Sequence, residues 1–446
     1  MVSAAERLAA NMDMGVLGRA TELKQRLWFI LGALIVYRLG TYIPVPGIDP
    51  QILEEIFKQQ QGGVLGVFNM FSGGALSRMT IFALAVMPYI TASIVMQLMS
   101  VAVPYLAELK KDGDAGRRKV TQITRYATVV LATFQAYGLA VGMENMSGPS
   151  GSAVIDPGTL FRFTAVVSLV GGTMFLMWLG EQMTARGIGN GISLLIFAGI
   201  VAEMPGAIAG TLEMGRQNIL STEVMLMFFG LAIGLVFMIV FFERAARRIL
   251  VQYPKRQMGN KMFQGDKTHL PLKLNTAGVI PPIFASSILL FPLTMAGFNQ
   301  GDQPEWLTIV TSYLAHGQPL YIALYVAIIV FFCFFYTAVV FNPDETAENL
   351  KKNGGFVAGI RPGKNTSEYL DKVLTRLTVV GAAYLAIVCT VPELLIAKYS
   401  IPLYLGGTSL LIIVNVILDF VQQVQSHLFA HQYEGLIKKS RLGGKK

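Results

Sequence analysis

Ten runs of mostly apolar residues constrain this chain more than any motif in it, lying near 26–43, 79–99, 122–142, 160–180, 190–206, 221–242, 276–297, 319–341, 376–395 and 401–421. A helix needs roughly 20 such residues to cross about 30 Å of hydrocarbon. The runs therefore predict an all-α polytopic membrane protein with ten transmembrane helices. Composition agrees: 53% of the 446 residues are apolar and 14% charged, about half the charge of a soluble domain. The first 25 residues are polar and no A-x-A-like site follows the first run. That run is expected to stay as a span and not to leave as a signal peptide.

One run is interrupted. FNMFSGGALSRMTIFALAVMPYITASIVMQL, from Phe68 to Leu98, carries Gly73-Gly74, Arg78 and Pro88. It predicts a broken helix, with a short amphipathic piece to about Ser77 and a membrane-length piece from Met79 to Met99. Lipid offers irregular backbone no hydrogen-bond partner, so such backbone persists at membrane depth only where protein buries it or it lines a wet cavity. The chain is expected to enclose a pore or a site.

A net charge of +9 would fit a nucleic-acid surface, but its distribution follows the spans. Arg38, Lys58, Arg78, Arg162, Arg216 and Lys398 fall on one side, and the other 30 of the 36 Lys and Arg fall on the side of the N-terminus. By the positive-inside rule both termini are expected in the cytoplasm. The basic ELKKDGDAGRRK, Glu108 to Lys119, reads as topogenic charge on that side. Cys333 and Cys389 lie inside spans 8 and 9, where buried thiols are expected in place of a disulfide. GEQMTARGIGNG, Gly180 to Gly191, lacks the Lys-Ser/Thr pair of a phosphate-binding loop and reads as a tight turn. His427 and His431 have i, i+4 spacing without a third ligand, so no metal or cofactor is expected.

Tyr42 to Gln61 forms an outer strap through IPVPGIDP. Two inner loops, about 243–274 and 342–375, exceed the short connections usual in packed domains and are expected to project into the cytoplasm. In the first, ERAARRI is expected to prolong helix 6, followed by a hairpin around Gly259-Asn260. In the second, Asn342 is expected to cap a helix with Pro343 at N1 and Glu345 at N3, and another helix to start at Asn365. The tip between them, FVAGIRPGK, holds Arg361 before a proline that favours an extended conformation.

MPYITAS (Met87 to Ser93) matches IPPIFAS (Ile280 to Ser286), and GISLLI (Gly191 to Ile196) matches GTSLLI (Gly407 to Ile412). Each match pairs a span with the one five later. Five is odd, so the halves run oppositely: 1–212 with spans 1 to 5, and 213–422 with spans 6 to 10, followed by a cytoplasmic tail, 423–446. Inverted repeats place their working centre at the half interface near the midplane. The alignment pairs Ile90 with Ile283 and Ile196 with Ile412. Four branched side chains at similar depth fit core packing or a constriction that shuts a pore by dewetting. A secondary transporter of a small solute would need an ionisable or unwound polar site there. The charges within the spans lie toward their ends. That favours a passive channel, with a transporter and a purely structural scaffold as the alternatives, and leaves no catalytic constellation.

FNMFSGGALSR with MPYI, FLMWLGEQMTARGIGNGIS, THLPLKLN with AGVIP, FFYTAVVFNP, GIRPG and YLGGTSLLI together resemble the bacterial SecY family, the channel subunits of the Sec protein translocon. The resemblance implies a ten-span clamshell with a plug at about 68–78, carrying Phe68, Asn69, Met70, Phe71, Ser72, Gly73, Gly74 and Arg78. It implies a pore ring of Val86, Ile90, Ile192, Ile196, Ile283 and Ile412. A lateral gate between spans 2 and 7 would include Thr91, Gln97, Asn275 and Phe291. At about 1.5 Å per residue, Gln97 lies roughly 10 Å inward of Ile90 and Asn275 roughly 12 Å inward of Ile283, so the two amides are expected to meet at the seam.

The function implied is translocation of unfolded secretory polypeptides across the bacterial cytoplasmic membrane, with lateral release of hydrophobic segments into its lipids. Implied partners are SecE-like and SecG-like membrane subunits, the SecA motor ATPase, the ribosome and signal-bearing preproteins. Nucleic acid would enter only through ribosomal RNA. Docking falls to Arg256, Lys261 and Arg361. The first loop tip reads MGNK where the family often has a basic pair, leaving Lys261 as its charge.

Overall fold

A computed structural model describes residues 21–59, 69–145, 147–148, 151–217, 221–254, 256–258, 261–263, 267–297, 313, 318–399 and 406–443. In chain order the elements are α1 (Thr21–Gly40), α2 (Pro50–Gln59), α3 (Met87–Ala102), α4 (Pro104–Lys111), α5 (Gly113–Asn145), β1 (Ser147–Gly148), β2 (Gly151–Ser152), α6 (Thr159–Arg186), α7 (Gly191–Arg216) and α8 (Thr222–Arg244). There follow β3 (Ala246–Gln252), β4 (Arg256–Met258), β5 (Lys261–Phe263), β6 (Lys267–Lys273), α9 (Ile280–Gly297), α10 (Pro319–Val340), α11 (Pro343–Lys352), β7 (Phe356–Val357), α12 (Lys364–Tyr399) and α13 (Gly407–Gly443). Each apolar run contains most or part of a helix: α1, α3, α5 to α10, α12 and α13. The molecule is a polytopic all-α membrane protein. Among the described residues, seven of these helices are long and apolar enough to cross a membrane by length and composition alone.

The chain divides into two compact units. The first comprises Met1–Ala207, Thr294–Pro304 and Val416–Lys446, and the second Ile208–Leu293 and Glu305–Asn415.

In the first unit, Ala132, Ala136 and Ala140 repeat every fourth residue along α5 and are fully buried. That spacing lays them on one helix face, where small side chains let α6 approach. Val45, Ile48, Leu53, Leu76, Met79 and Leu84 join α5 and α6 in one core cluster. The outer strap is thus packed against the segment that precedes α3. Single bridges fasten it, Pro44 to Thr80 and Ile48 to Val154.

The expected helix from Met79 is corrected here, because α3 begins only at Met87. Residues 72–86 form a succession of turns, buried for most of their length. Met79 (φ 42°) and Ala85 (φ 47°) are left-handed, a conformation that a continuous right-handed helix excludes. The N–H groups find partners nonetheless: Thr80 donates to Ala75 O at 2.9 Å, Ile81 to Ile43 O at 3.0 Å and Ala85 to Phe82 O at 2.8 Å. Pro88 then stands in the first turn of α3, where its missing N–H costs nothing.

In the second unit, Phe242 stacks on Tyr384 at 4.5 Å and Phe284 meets Phe332 edge to face at 5.4 Å. Cys333 and Cys389 are free and buried. A second correction concerns ERAARRI. Helix α8 stops at Arg244, and Ala246–Gln252 becomes β3, paired antiparallel with β6 from Ala246↔Lys273 to Gln252↔Lys267. The hairpin is present, with β4 and β5 in register at Met258↔Lys261.

The two long loops, 243–274 and 342–375, are joined, which the sequence did not reveal. Strand β7 of the second pairs with β3 of the first through Val251↔Val357 and Gln252↔Phe356. Ile249, Leu272, Val357, Leu370 and Val373 form a small core beneath the sheet.

Candidate functional site

The interrupted segment is held by its own side chains before anything else touches it. Ser72 Oγ accepts from Leu76 N at 3.1 Å and donates to Asn69 O at 2.9 Å, while Asn69 Oδ1 accepts from Ser77 N at 2.8 Å. Gly73 (φ 66°) and Gly74 (φ 79°) take the left-handed conformation that glycine adopts without strain. Met70, Phe71, Ser72, Gly73 and Gly74 are buried, while Asn69 and Arg78 are half-buried. Phe68 lies outside the described residues. Among the described residues the expected amphipathic helix to Ser77 ends already at Phe71, and the turns described above follow.

Side chains of α1 and α7 pack against this segment. Tyr37 of α1 donates its hydroxyl to Ser72 O at 3.3 Å. A Cβ on Gly73 would lie 2.9 Å from Gly199 Cα, and one on Gly74 would overlap the Glu203 carboxylate, both on α7. Phe82 stacks between Tyr37 and Phe175, at 6.2 and 5.8 Å, and fills the space beside Gly40. Glu203 was visible as a rare charge toward a span end, but Tyr37 and Gly199 gave no signal.

The expected ring residues occupy matching positions in their helices. Ile90 and Ile283 are each the fourth residue of α3 and α9, and Ile196 and Ile412 are each the sixth of α7 and α13. Ile90, Ile192 and Ile283 are half-buried, whereas Val86, Ile196 and Ile412 are buried. Val86 precedes α3 as its N-cap. Both repeated strings therefore open their helices, and they do so in the same register. The initial glycines agree as well, because a Cβ on Gly191 would overlap Gly180 O of α6 and one on Gly407 would overlap Val388 O of α12.

Beside Ile192 the first unit holds a cavity of about 860 Å³, lined among others by Tyr89, Arg125, Glu181, Asn190, Gln423 and His427. Its charges are matched: Arg125 grips Glu181 through two hydrogen bonds, 3.0 and 2.7 Å. The tight turn is confirmed, with Gly189 at φ 88° and its N–H donating to Gln423 Oε1 at 2.7 Å.

Of the gate candidates, Thr91 donates to Met87 O at 3.1 Å within its own helix, and Gln97 is half-buried. Asn275 does not await an amide partner. Its Nδ2 donates to Glu243 Oε1 at 2.7 Å and to Gly278 O at 3.1 Å, and its Oδ1 accepts from Gly278 N at 3.1 Å. Asn275 precedes α9, which begins at Ile280, so the helical rise used to set its depth does not apply to it. The side chain of Phe291, on α9, lies outside the described residues.

At the inner loops, Asn342 Oδ1 accepts from Asp344 N and Glu345 N, at 3.1 and 3.4 Å, with Pro343 opening α11 as expected. Helix α12 starts at Lys364, one residue before the expected Asn365. Arg361 is exposed, and its carbonyl accepts from Thr366 Oγ1 at 2.9 Å. The side chain points to solvent from a tip that its own backbone fixes. Arg256 and Lys261 stand on β4 and β5, with side chains outside the described residues.

A family model described as SecY matches residues 80–421. The chain is 58% identical over 428 residues to the protein translocase subunit SecY of Escherichia coli K12, covering 96% of each. Among solved structures it is similar to a protein-conducting channel, with a TM-score of 0.59, 18% identity and coverage of 90% of this chain and 92% of that one. It is also similar to Sec61 in the canine ribosome-channel complex, with a TM-score of 0.57, 17% identity and the same coverage. The structural likeness carries the fold, and the sequence identity carries the membership: this chain belongs to the SecY family.

Proposed function

We propose that this chain is the protein-conducting channel of a bacterial Sec translocon. Unfolded secretory polypeptides pass through it across the cytoplasmic membrane, and hydrophobic segments leave it sideways into lipid. The observation that carries this reading is the buried, non-helical 72–86 segment within a bundle of membrane helices. Such backbone needs either protein around it or a cavity beside it, and a displaceable plug uses the first condition to create the second. The transporter alternative is set aside, since a relative identical at more than half of its positions is a protein translocase subunit.

In this reading the segment around 69–78 plugs the resting pore. Val86, Ile90, Ile192, Ile196, Ile283 and Ile412 form the hydrophobic ring, and the openings of α3 and α9 flank the gate. The basic side of the chain faces the cytoplasm with both termini. SecE-like and SecG-like subunits accompany the chain in the membrane, and the joined loops give SecA or a ribosome one platform to grip, with Arg361 at its exposed tip.

The test is transport of a signal-bearing preprotein into liposomes holding the chain and its small subunits, driven by SecA and ATP. Protease-protected preprotein is the expected result. Solute uptake down an ion gradient, with no protected preprotein, would overturn the reading. Arg361→Glu puts a repulsive charge at the docking tip. It should cut transport roughly tenfold or more, the effect of losing a contact worth about 2 kcal/mol, while the helices melt as in the wild type. Normal transport by Arg361→Glu at moderate salt would remove the loop tip from docking.

A further inference from the structure

We infer that Arg38 and Arg78, converging on the ring of Tyr42, form a solvent-side latch that keeps the plug seated. This rests on the channel reading above. In that reading only six of the 36 Lys and Arg lie on the side away from the N-terminus, and two of them meet at this one tyrosine. Arg38 donates through Nη1 to Gly73 O at 2.9 Å and through Nη2 to Tyr42 OH at 3.1 Å. Its guanidinium lies 5.1 Å from the Tyr42 ring centroid, and that of Arg78 lies 4.4 Å from the same centroid.

Arg78 ends the plug. Its Nη1 is buried with no hydrogen-bond partner among the described residues, so the aromatic face is an attraction the structure offers this charge. One guanidinium fork thus ties the middle of the plug to the end of α1, and one ring ties the end of the plug to the same place. Like charges brought together repel. The negative face of the ring screens that repulsion and makes Tyr42 the keystone. Residues 70–76 of the plug are buried, but Tyr42 is 54% exposed. The latch can therefore come apart without first opening the buried packing of Tyr37, Phe82 and Gly199.

Substitutions at Tyr42 and Arg38 separate the two parts of the latch. Tyr42→Phe keeps the ring and loses the hydroxyl, while Tyr42→Leu loses both. Arg38→Lys keeps the charge but has no planar fork to span Gly73 O and the hydroxyl together. The readout is resting ion conductance in planar bilayers, with thermal unfolding of the solubilised complex measured alongside. Conductance should rise slightly for Tyr42→Phe. It should rise roughly two- to fivefold for Tyr42→Leu, the loss expected of a solvent-exposed cation–ring contact, and roughly tenfold for Arg38→Gln, the loss expected of a charged hydrogen bond. The double variant Tyr42→Leu with Arg38→Gln should leak no more than the product of the single effects allows, and unfolding should stay close to wild type.

Wild-type preprotein transport is measured on the same preparation. If the wild type transports and these variants conduct no more than it does, the latch is overturned while the channel stands. If they leak only in proportion to lost thermal stability, the latch is overturned in favour of a structural role. If the wild type fails to transport, the channel reading falls and takes the latch with it.

Discussion

Bilayers holding the chain with Ile90→Ser and Ile283→Ser together should pass ions at rest far more readily than wild type. Both residues are the fourth of their helices, α3 and α9, and both are half-buried. A side chain that is only half-covered has apolar surface left to present to a pore. A ring of such surfaces expels water, and ions do not cross where water is absent. Exposing an isoleucine-sized side chain to water costs about 1.5–3 kcal/mol. Replacing two shifts the balance between dry and wet by at most roughly two to four orders of magnitude. Single-channel recording measures it, and conductance unchanged from wild type would remove both residues from the pore lining.

Gly407→Ala should lower stability, although the usual preference runs the other way. Alanine favours a helix over glycine by up to about 1 kcal/mol, and Gly407 opens α13 in helical conformation. Its Cβ, however, would overlap Val388 O of α12, and a backbone carbonyl in a packed helix has nowhere to go. The expected cost is about 3 kcal/mol, the upper end of ordinary overpacking. Gly191→Ala should behave likewise, since its Cβ would overlap Gly180 O. Gly230→Ala is the control: nothing lies within 4 Å of its Cβ, so it should be neutral or slightly stabilising. Thermal unfolding of the solubilised protein gives the signs, and a stabilising Gly407→Ala would contradict the close approach.

The same glycines show how far the sequence could be read. GISLLI and GTSLLI announced a repeat because identical residues at a five-span offset are hard to produce otherwise, and both strings prove to open their helices against a carbonyl of the preceding one. Asn342-Pro343 announced α11 because capping is local chemistry. What failed was whatever depended on partners distant in the chain. MTIFALAVM is apolar except for Thr80, so its hydropathy looks the same in a helix as in the turns that Met79 and Ala85 take. ARRI reads as a helical continuation until Lys267–Lys273 supplies a ladder, and the two-residue β7 is too short for any periodicity. At the candidate site, residue types and helix register were legible but side-chain directions were not. Asn275 turns to Glu243, and the 69–78 segment leans on Tyr37, Arg38 and Tyr42, none of which a motif marks.

The central claim is that a polypeptide threads this chain past its ring. A preprotein stalled in mid-transport by a folded C-terminal domain tests it directly, with photo-crosslinkers placed in turn at Ile90, Ile283 and Ile412, and at the exposed Trp28 and Phe237 as outer controls. Crosslinks to the stalled chain from all three ring positions, and from neither control, are the result expected. Crosslinks from the controls with none from the ring would contradict the account.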